Sequence, residues 1–148
     1  MTATSPTTQS PGARLRAVLD AFNQVGGAGA LALIPDLYTD DVVFRDPLQT
    51  VVGKEAFMAM NRRFFDKGQQ LDVEVHDFTE TGDQIFCSWT MRFRPRFGPA
   101  ITVEGATHAR VRDGQIAYHR DYWDLLGSLF GSLPAVGPLY SRLVRRLG

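Results

Sequence analysis

The chain has 148 residues, 44% of them apolar and 22% charged, the size and balance of one globular domain with a single core. Sixteen basic and sixteen acidic side chains give a formal net charge of zero, which excludes the electrostatic footprint of general nucleic-acid binding and leaves nothing to repel a second copy. Cys87 is the single cysteine, so an internal disulfide and a Cys/His zinc cluster are both excluded.

Residues 1–12 read as a polar, disordered tail without an apolar run, so no secretory signal is expected there. Ser10-Pro11 has the chemistry of a helix N-cap followed by proline at the first helical position. Leu15, Val18, Leu19 and Phe22 follow at helical spacing, and Gly26-Gly27 ends that helix. A second helix is predicted over about 29–38, with Ala30, Leu33, Ile34 and Leu37 on one side and Pro35 expected to kink it or start a separate turn. Val42 to Arg45 is a short strand closed by Asp46-Pro47. A third helix is predicted over about 54–66, with Phe57, Met60, Phe64 and Phe65 mostly on one face.

Beyond Gly68 the apolar period changes to two. Leu71, Val73 and Val75 alternate with polar residues up to a turn at Thr81-Gly82-Asp83. Ile85, Cys87, Trp89, Met91 and Phe93 mark the inner face of the next strand. After Phe97-Gly98-Pro99, Ile101, Val103, Gly105, Thr107, Ala109 and Val111 mark another. Asp113-Gly114 turns the chain into a last strand, 115–123. Helices followed by a long meander define an α+β fold, with helices covering one face of a bent sheet. The predicted organisation is a domain over 13–125 and a basic helical segment over 126–148. No apolar run is long enough to span a bilayer, and a cytoplasmic location is the default expectation.

Three segments carry a family resemblance: Leu37 to Pro47 (LYTDDVVFRDP), Val52-Gly53-Lys54-Glu55, and Arg112 to Ile116 with His119-Arg120-Asp121-Tyr122-Trp123-Asp124. Together they resemble the nuclear transport factor 2-like superfamily, in its SnoaL-like polyketide cyclase and ketosteroid isomerase branch. The resemblance implies a cone-shaped, curved, largely antiparallel mixed sheet wrapped around the N-terminal helices, with a pocket between sheet and helices. It implies no single reaction, because the fold hosts isomerases, cyclases, epoxide hydrolases, dehydratases and non-catalytic modules.

Asp46 is the leading candidate base. It matches the Asp-Pro whose carboxylate, in ketosteroid isomerases, moves a proton on carbon next to a carbonyl, and an apolar cavity makes a carboxylate a better base. The plain alternative is an Asp-Pro that only ends a strand and starts a turn. The isomerase enolate donors are missing: Phe22 and Thr107 stand at the corresponding positions. Tyr38 matches a supporting tyrosine, and Asn61 stands where another tyrosine is usual.

The last hairpin has two readings. A three-residue loop, Arg112-Asp113-Gly114, pairs Val111 with Gln115, Thr107 with His119 and Gly105 with Asp121, so that His119, Asp121 and Trp123 point inward. A two-residue loop points Ile116, Tyr118, Arg120 and Tyr122 inward instead. Apolar patterning favours the second. The resemblance favours the first, because the family's pocket-lining tryptophan matches Trp123, and the first is adopted here. It places Asp46, His119 and Asp121 around one cavity, as an acid/base set or as a buried polar network that only holds the strand. Phe22, Tyr38, Phe44, Phe57, Asn61, Trp89, Thr107 and Trp123 are the expected pocket wall.

Cys87 reads as a small buried apolar residue. His76 and His108 fall on the outer face, and Glu104 is expected to pair with Arg92 across the sheet. The family's habit implies a homodimer through that outer face. In the last segment, Leu139, Tyr140, Leu143, Val144 and Leu147 oppose Arg142, Arg145 and Arg146, a stripe suited to capping the cone, packing on a second subunit or resting on an anionic membrane. No metal or cofactor is expected, because no phosphate loop or ligand-spaced His/carboxylate set is present. The expected ligand is an apolar polyketide-, steroid- or lipid-like molecule, either isomerised, cyclised or hydrated, or merely bound.

Overall fold

A computed structural model of the chain describes residues 9–24, 26–131 and 133–147. The elements run α1 (Pro11–Gln24), α2 (Gly26–Leu37), β1 (Tyr38–Arg45), β2 (Thr50–Val52), α3 (Lys54–Lys67), β3 (Gly68–Thr81), β4 (Gln84–Pro95), β5 (Ile101–Arg112), β6 (Gln115–Trp123), α4 (Leu125–Gly131) and α5 (Gly137–Leu147). The six strands form one mixed sheet in the order β2-β1-β6-β5-β4-β3, with β1 and β6 parallel and the other neighbours antiparallel. The α+β class and the helix-first order agree with the sequence reading. Residues 1–8 of the expected tail lie outside the described residues, and its last two, Pro11 and Gly12, already belong to α1.

Local chemistry explains where α1 sits. The Ser10 hydroxyl accepts the Ala13 N–H at 3.1 Å, a regular N-cap. The Glu80 carboxylate of β3 then accepts the Gly12 N–H at 3.1 Å and the Ser10 hydroxyl at 2.6 Å. An acidic group at a helix N-terminus complements the free N–H groups and the dipole. A Cβ on Gly12 would lie 2.4 Å from a Glu80 oxygen, so a side chain there would move the carboxylate off the helix end. Near the other end of α1, Asn23 accepts the Val73 N–H at 2.7 Å and donates to the Val73 carbonyl at 2.5 Å, tying the helix to the edge strand β3.

Between these ties, Leu15 and Val18 of α1, Ile34 and Leu37 of α2 and Phe57 of α3 pack on Val42, Ile85, Ala109 and Ile116 of the sheet. A second cluster, Val73, Cys87, Trp89 and Val103, continues the inner face toward the open end. The predicted α2 face needs correction at Leu33, which is 45% exposed while Ala30, Ile34 and Leu37 are buried. Pro35 does not stop α2, which runs two residues beyond it. Arg92 pairs with Glu74 of β3 at 3.3 Å rather than with Glu104, because Glu104 lies opposite Thr90.

The last hairpin merges the two predicted registers. The turn is the two-residue Asp113-Gly114, both residues at positive φ (52° and 78°), with Arg112 opposite Gln115 and Val111 opposite Ile116. The twist of a primed turn suits this connection, and Asp-Gly tolerates its left-handed angles. Between Ile116 and Tyr118 the ladder then slips by one residue, because Arg110 pairs with Tyr118 rather than Ala117. This β-bulge lets Ile116 fill the core and still turns His119, Asp121 and Trp123 inward. The adopted pairings are therefore corrected by two positions: His119 faces Ala109, Asp121 faces Thr107 and Trp123 faces Gly105.

Candidate functional site

A cavity of about 370 Å³ lies between the inner face of the sheet and helices α1–α3. Its wall includes Phe22, Tyr38, Phe44, Phe57, Asn61, Trp89, Thr107 and Trp123, together with Asp46, His119 and Asp121. All the residues singled out from the sequence thus border one hollow. Their chemistry differs from the expectation in who is bonded to whom.

Four side chains form a continuous relay ending on Asp121. The Trp89 Nε1–H donates to Thr107 Oγ1 at 2.9 Å, and the Thr107 hydroxyl donates to Asp121 Oδ1 at 2.6 Å. From the other side, His119 Nε2 lies 2.9 Å from the same Oδ1, and His119 Nδ1 lies 2.9 Å from the Tyr38 hydroxyl. Burial above all, and the nearby Asp121 charge, push the Tyr38 pKa far above its ordinary value. Tyr38 therefore keeps its proton and donates it to Nδ1. With Nδ1 accepting, Nε2 carries the ring N–H and donates to Asp121. Every proton in the relay has an acceptor.

The relay holds Asp121 in one orientation and leaves part of it open. Oδ1 takes two donors, while Oδ2 has no hydrogen-bond partner among the described residues. The Asp121 side chain is 22% exposed, against 9% for His119. It borders both the apolar cavity and an adjoining polar hollow of about 510 Å³, lined also by Arg45, Asp46, Arg120, Tyr122 and Trp123. His119 is packed among the rings of Tyr38, Phe44 and Phe57, with centroids 5.3–6.3 Å away.

Asp46 sits at the mouth and has a structural task. Its Oδ1 accepts the N–H groups of Leu48 at 2.7 Å and Gln49 at 2.8 Å, and its own N–H donates to the Gln49 carbonyl. This is an Asx-type turn joining β1 to β2, the plain alternative weighed for Asp-Pro. Asp46 borders the hollow without joining the relay. Asn61 Nδ2 donates to the Phe57 carbonyl at 2.9 Å, which occupies one of its two amide hydrogens. Gln49 also borders the cavity and has no signature in the sequence; the β1–β2 hairpin brings it there. Thr107 spends its proton on Asp121 and does not offer it to a ligand.

Cys87 is buried beside the relay, and desolvation raises its thiol pKa, which makes it an inert core residue. His76 and His108 lie on the outer face. His76 bonds Thr90 at 2.8 Å, and His108 stacks on Phe86 at 4.4 Å. Among the described residues no cluster of three or more His, Cys, Asp or Glu has metal-ligand geometry.

Residues 15–119 match the family model of the SnoaL-like domain, and the chain belongs to that family. Solved structures show the same nuclear transport factor 2-like fold. An LEH-like epoxide hydrolase of M. tuberculosis superposes with a TM-score of 0.71 at 19% identity, over 93% of this chain and 99% of that one. An NTF2-like protein of unknown function from Exiguobacterium sp. 255-15 gives 0.64 at 25% identity, over 76% and 98%. IdmH of Streptomyces antibioticus, provisionally assigned as a polyketide cyclase, gives 0.65 at 20% identity, over 82% and 96%. No curated protein sequence is significantly similar to the chain.

Proposed function

We propose that the chain is a cofactor-free acid/base enzyme acting on an apolar small molecule, with Asp121 as the base. The observation that carries this reading is the division of labour within one carboxylate. Oδ1 is fixed by Thr107 and His119, Oδ2 has no partner among the described residues, and Asp121 borders a cavity walled mostly by aromatic and aliphatic side chains. A carboxylate held in this way is preorganised to take a proton from carbon next to a carbonyl, or from water.

In this scheme Oδ2 removes the proton and the ligand becomes an enolate. The free amide hydrogen of Asn61 and the carboxamide of Gln49 meet the developing oxygen charge. Asp121 then returns the proton to a second position of the ligand, which completes an isomerisation or follows a ring closure. His119 and Tyr38 position the carboxylate and touch no reacting atom. Asp46, the base suggested by the family resemblance, likewise carries two donors on Oδ1 and borders the same cavity, so it is the rival base; Asp121 is preferred because its donors are the side chains of the buried relay. The structures named above include an LEH-like epoxide hydrolase and a protein provisionally assigned as a polyketide cyclase, and reactions of both kinds can use such a base.

A second reading, capture of an apolar ligand without conversion, draws support from the relay itself, since the Trp89, Thr107 and Tyr38 protons are all committed to protein acceptors. The two readings separate in one experiment. The chain is incubated with a set of apolar aromatic ketones and epoxides, binding is measured by calorimetry and products by mass spectrometry. The catalytic reading expects conversion that falls about 10²–10⁴-fold in Asp121→Asn, with affinity nearly unchanged. Tight binding with no conversion by the unaltered chain establishes capture alone.

A further inference from the structure

The two C-terminal helices leave an apolar face open to water. On α5, Leu139, Leu143 and Leu147 follow one another at intervals of four and are 68%, 58% and 82% exposed, with Val144 beside them at 47%. Residues at this spacing share one side of a helix. The opposite side carries Arg142, Arg145 and Arg146, and no acidic partner for them occurs among the described residues. Residues 125–148 contain these three arginines and no Asp or Glu, in a chain whose formal charge is zero.

The face continues onto α4. Phe130 packs against Tyr140 of α5 with ring centroids 6.0 Å apart, and Leu126 is 52% exposed. Leu129, between them, is 41% exposed and is also part of the cavity wall. The open apolar surface therefore reaches the mouth of the cavity.

Charge decides what can cover this face. A symmetric contact between two copies sets the same patch against itself. It would bring six arginines together with no carboxylate in either segment. An anionic bilayer supplies the missing charge and an apolar layer at the same depth. Leucines enter the acyl boundary, while arginine stems lie along it and their guanidinium groups reach the phosphates. Among the described residues no helix is long and apolar enough to cross a membrane, so the contact lies in the surface.

We propose that α4 and α5 dock the protein on an anionic membrane surface with the cavity mouth facing the lipid, where an apolar ligand would be dissolved. The proposal is independent of whether Asp121 performs catalysis. Sedimentation of the full chain with vesicles of phosphatidylcholine, with and without phosphatidylglycerol, tests it. The chain should pellet with the anionic vesicles only and be released by high salt. Replacing Arg142, Arg145 and Arg146 together by Gln should weaken partitioning about 100-fold, at roughly 1 kcal/mol per arginine. The pair Leu143→Ser and Leu147→Ser should also release it, and both variants should keep the far-UV spectrum because the altered side chains are exposed. Failure to pellet with anionic vesicles, or equal partitioning of the arginine variant, overturns the proposal. So does a dimer that the leucine variant splits while vesicles never retain the parent chain, which makes the face a contact between copies.

Discussion

The Tyr38 hydroxyl lies 2.9 Å from His119 Nδ1, with the tyrosine 2% and the histidine 7% exposed. This contact joins the first residue of β1 to the centre of β6 and fixes the imidazole tautomer that Asp121 requires. Tyr38→Phe removes the donor and leaves Nδ1 buried and unpaired, at a cost of about 1–3 kcal/mol in denaturant unfolding.

Tyr38 also sets an alkaline limit. In the folded chain burial holds its pKa far above the ordinary tyrosine value of about 10. The native state thus keeps a proton that the unfolded state releases, and stability falls as pH rises past the ordinary tyrosine value. Thermal unfolding followed toward and beyond that pH should show an additional decline in the parent chain. Tyr38→Phe should lack that part of the decline. A parallel loss in both chains would contradict the assignment.

Gly105 and Trp89 form a second obligatory pair. A Cβ on Gly105 would lie 2.5 Å from Cη2 of Trp89, whose Nε1 is tied to Thr107. Gly105→Ala must displace the ring, so it should lower stability by about 1–3 kcal/mol and weaken capture of apolar ligands. Unfolding curves and ligand titration of the same variant check both outcomes. Unchanged values in both would show that the ring is free to move.

Cys87 should be silent toward thiol reagents in the native protein. It is 4% exposed and desolvation raises its pKa, so little thiolate is present and little can be reached. Mass spectrometry after iodoacetamide treatment at about pH 8 should find no adduct in native protein and one adduct after denaturation. Rapid native labelling would mean that the inner face of β4 opens to solvent.

Much of this site can be read from the sequence, and the unread parts have a common cause. The period-two runs in β4 and β5 specify their inner faces, and Asp113-Gly114 specifies its turn. The bulge at Ala117 has no such mark, because it answers to neighbouring strands. The β1–β6 pairing shifts over the same stretch, between Tyr38↔Ile116 and Val43↔Tyr118. Pattern reading therefore offered two registers: the two-residue one is correct up to Ala117, and beyond it the three-residue one gives the right inward face with pairings displaced by two residues. Asp46 shows the converse. A dipeptide signature cannot tell a base from a turn; the N–H groups of Leu48 and Gln49 show that Asp46 holds the turn, which leaves its second oxygen uncommitted among the described residues. The ties from Glu80 to Gly12 and from Asn23 to Val73 span 68 and 50 residues and become visible only once the chain is folded.

The central claim is that the free oxygen of Asp121 takes a proton from an apolar ligand. Deuterium uptake tests it without knowledge of the natural product. The parent chain and Asp121→Asn are incubated in heavy water with an apolar ketone that both bind equally, and the label at carbon next to the carbonyl is followed by mass spectrometry. The account predicts rapid labelling by the parent chain and labelling at the solvent rate by the variant. Equal rates in the two chains, with the ketone demonstrably bound, would contradict it.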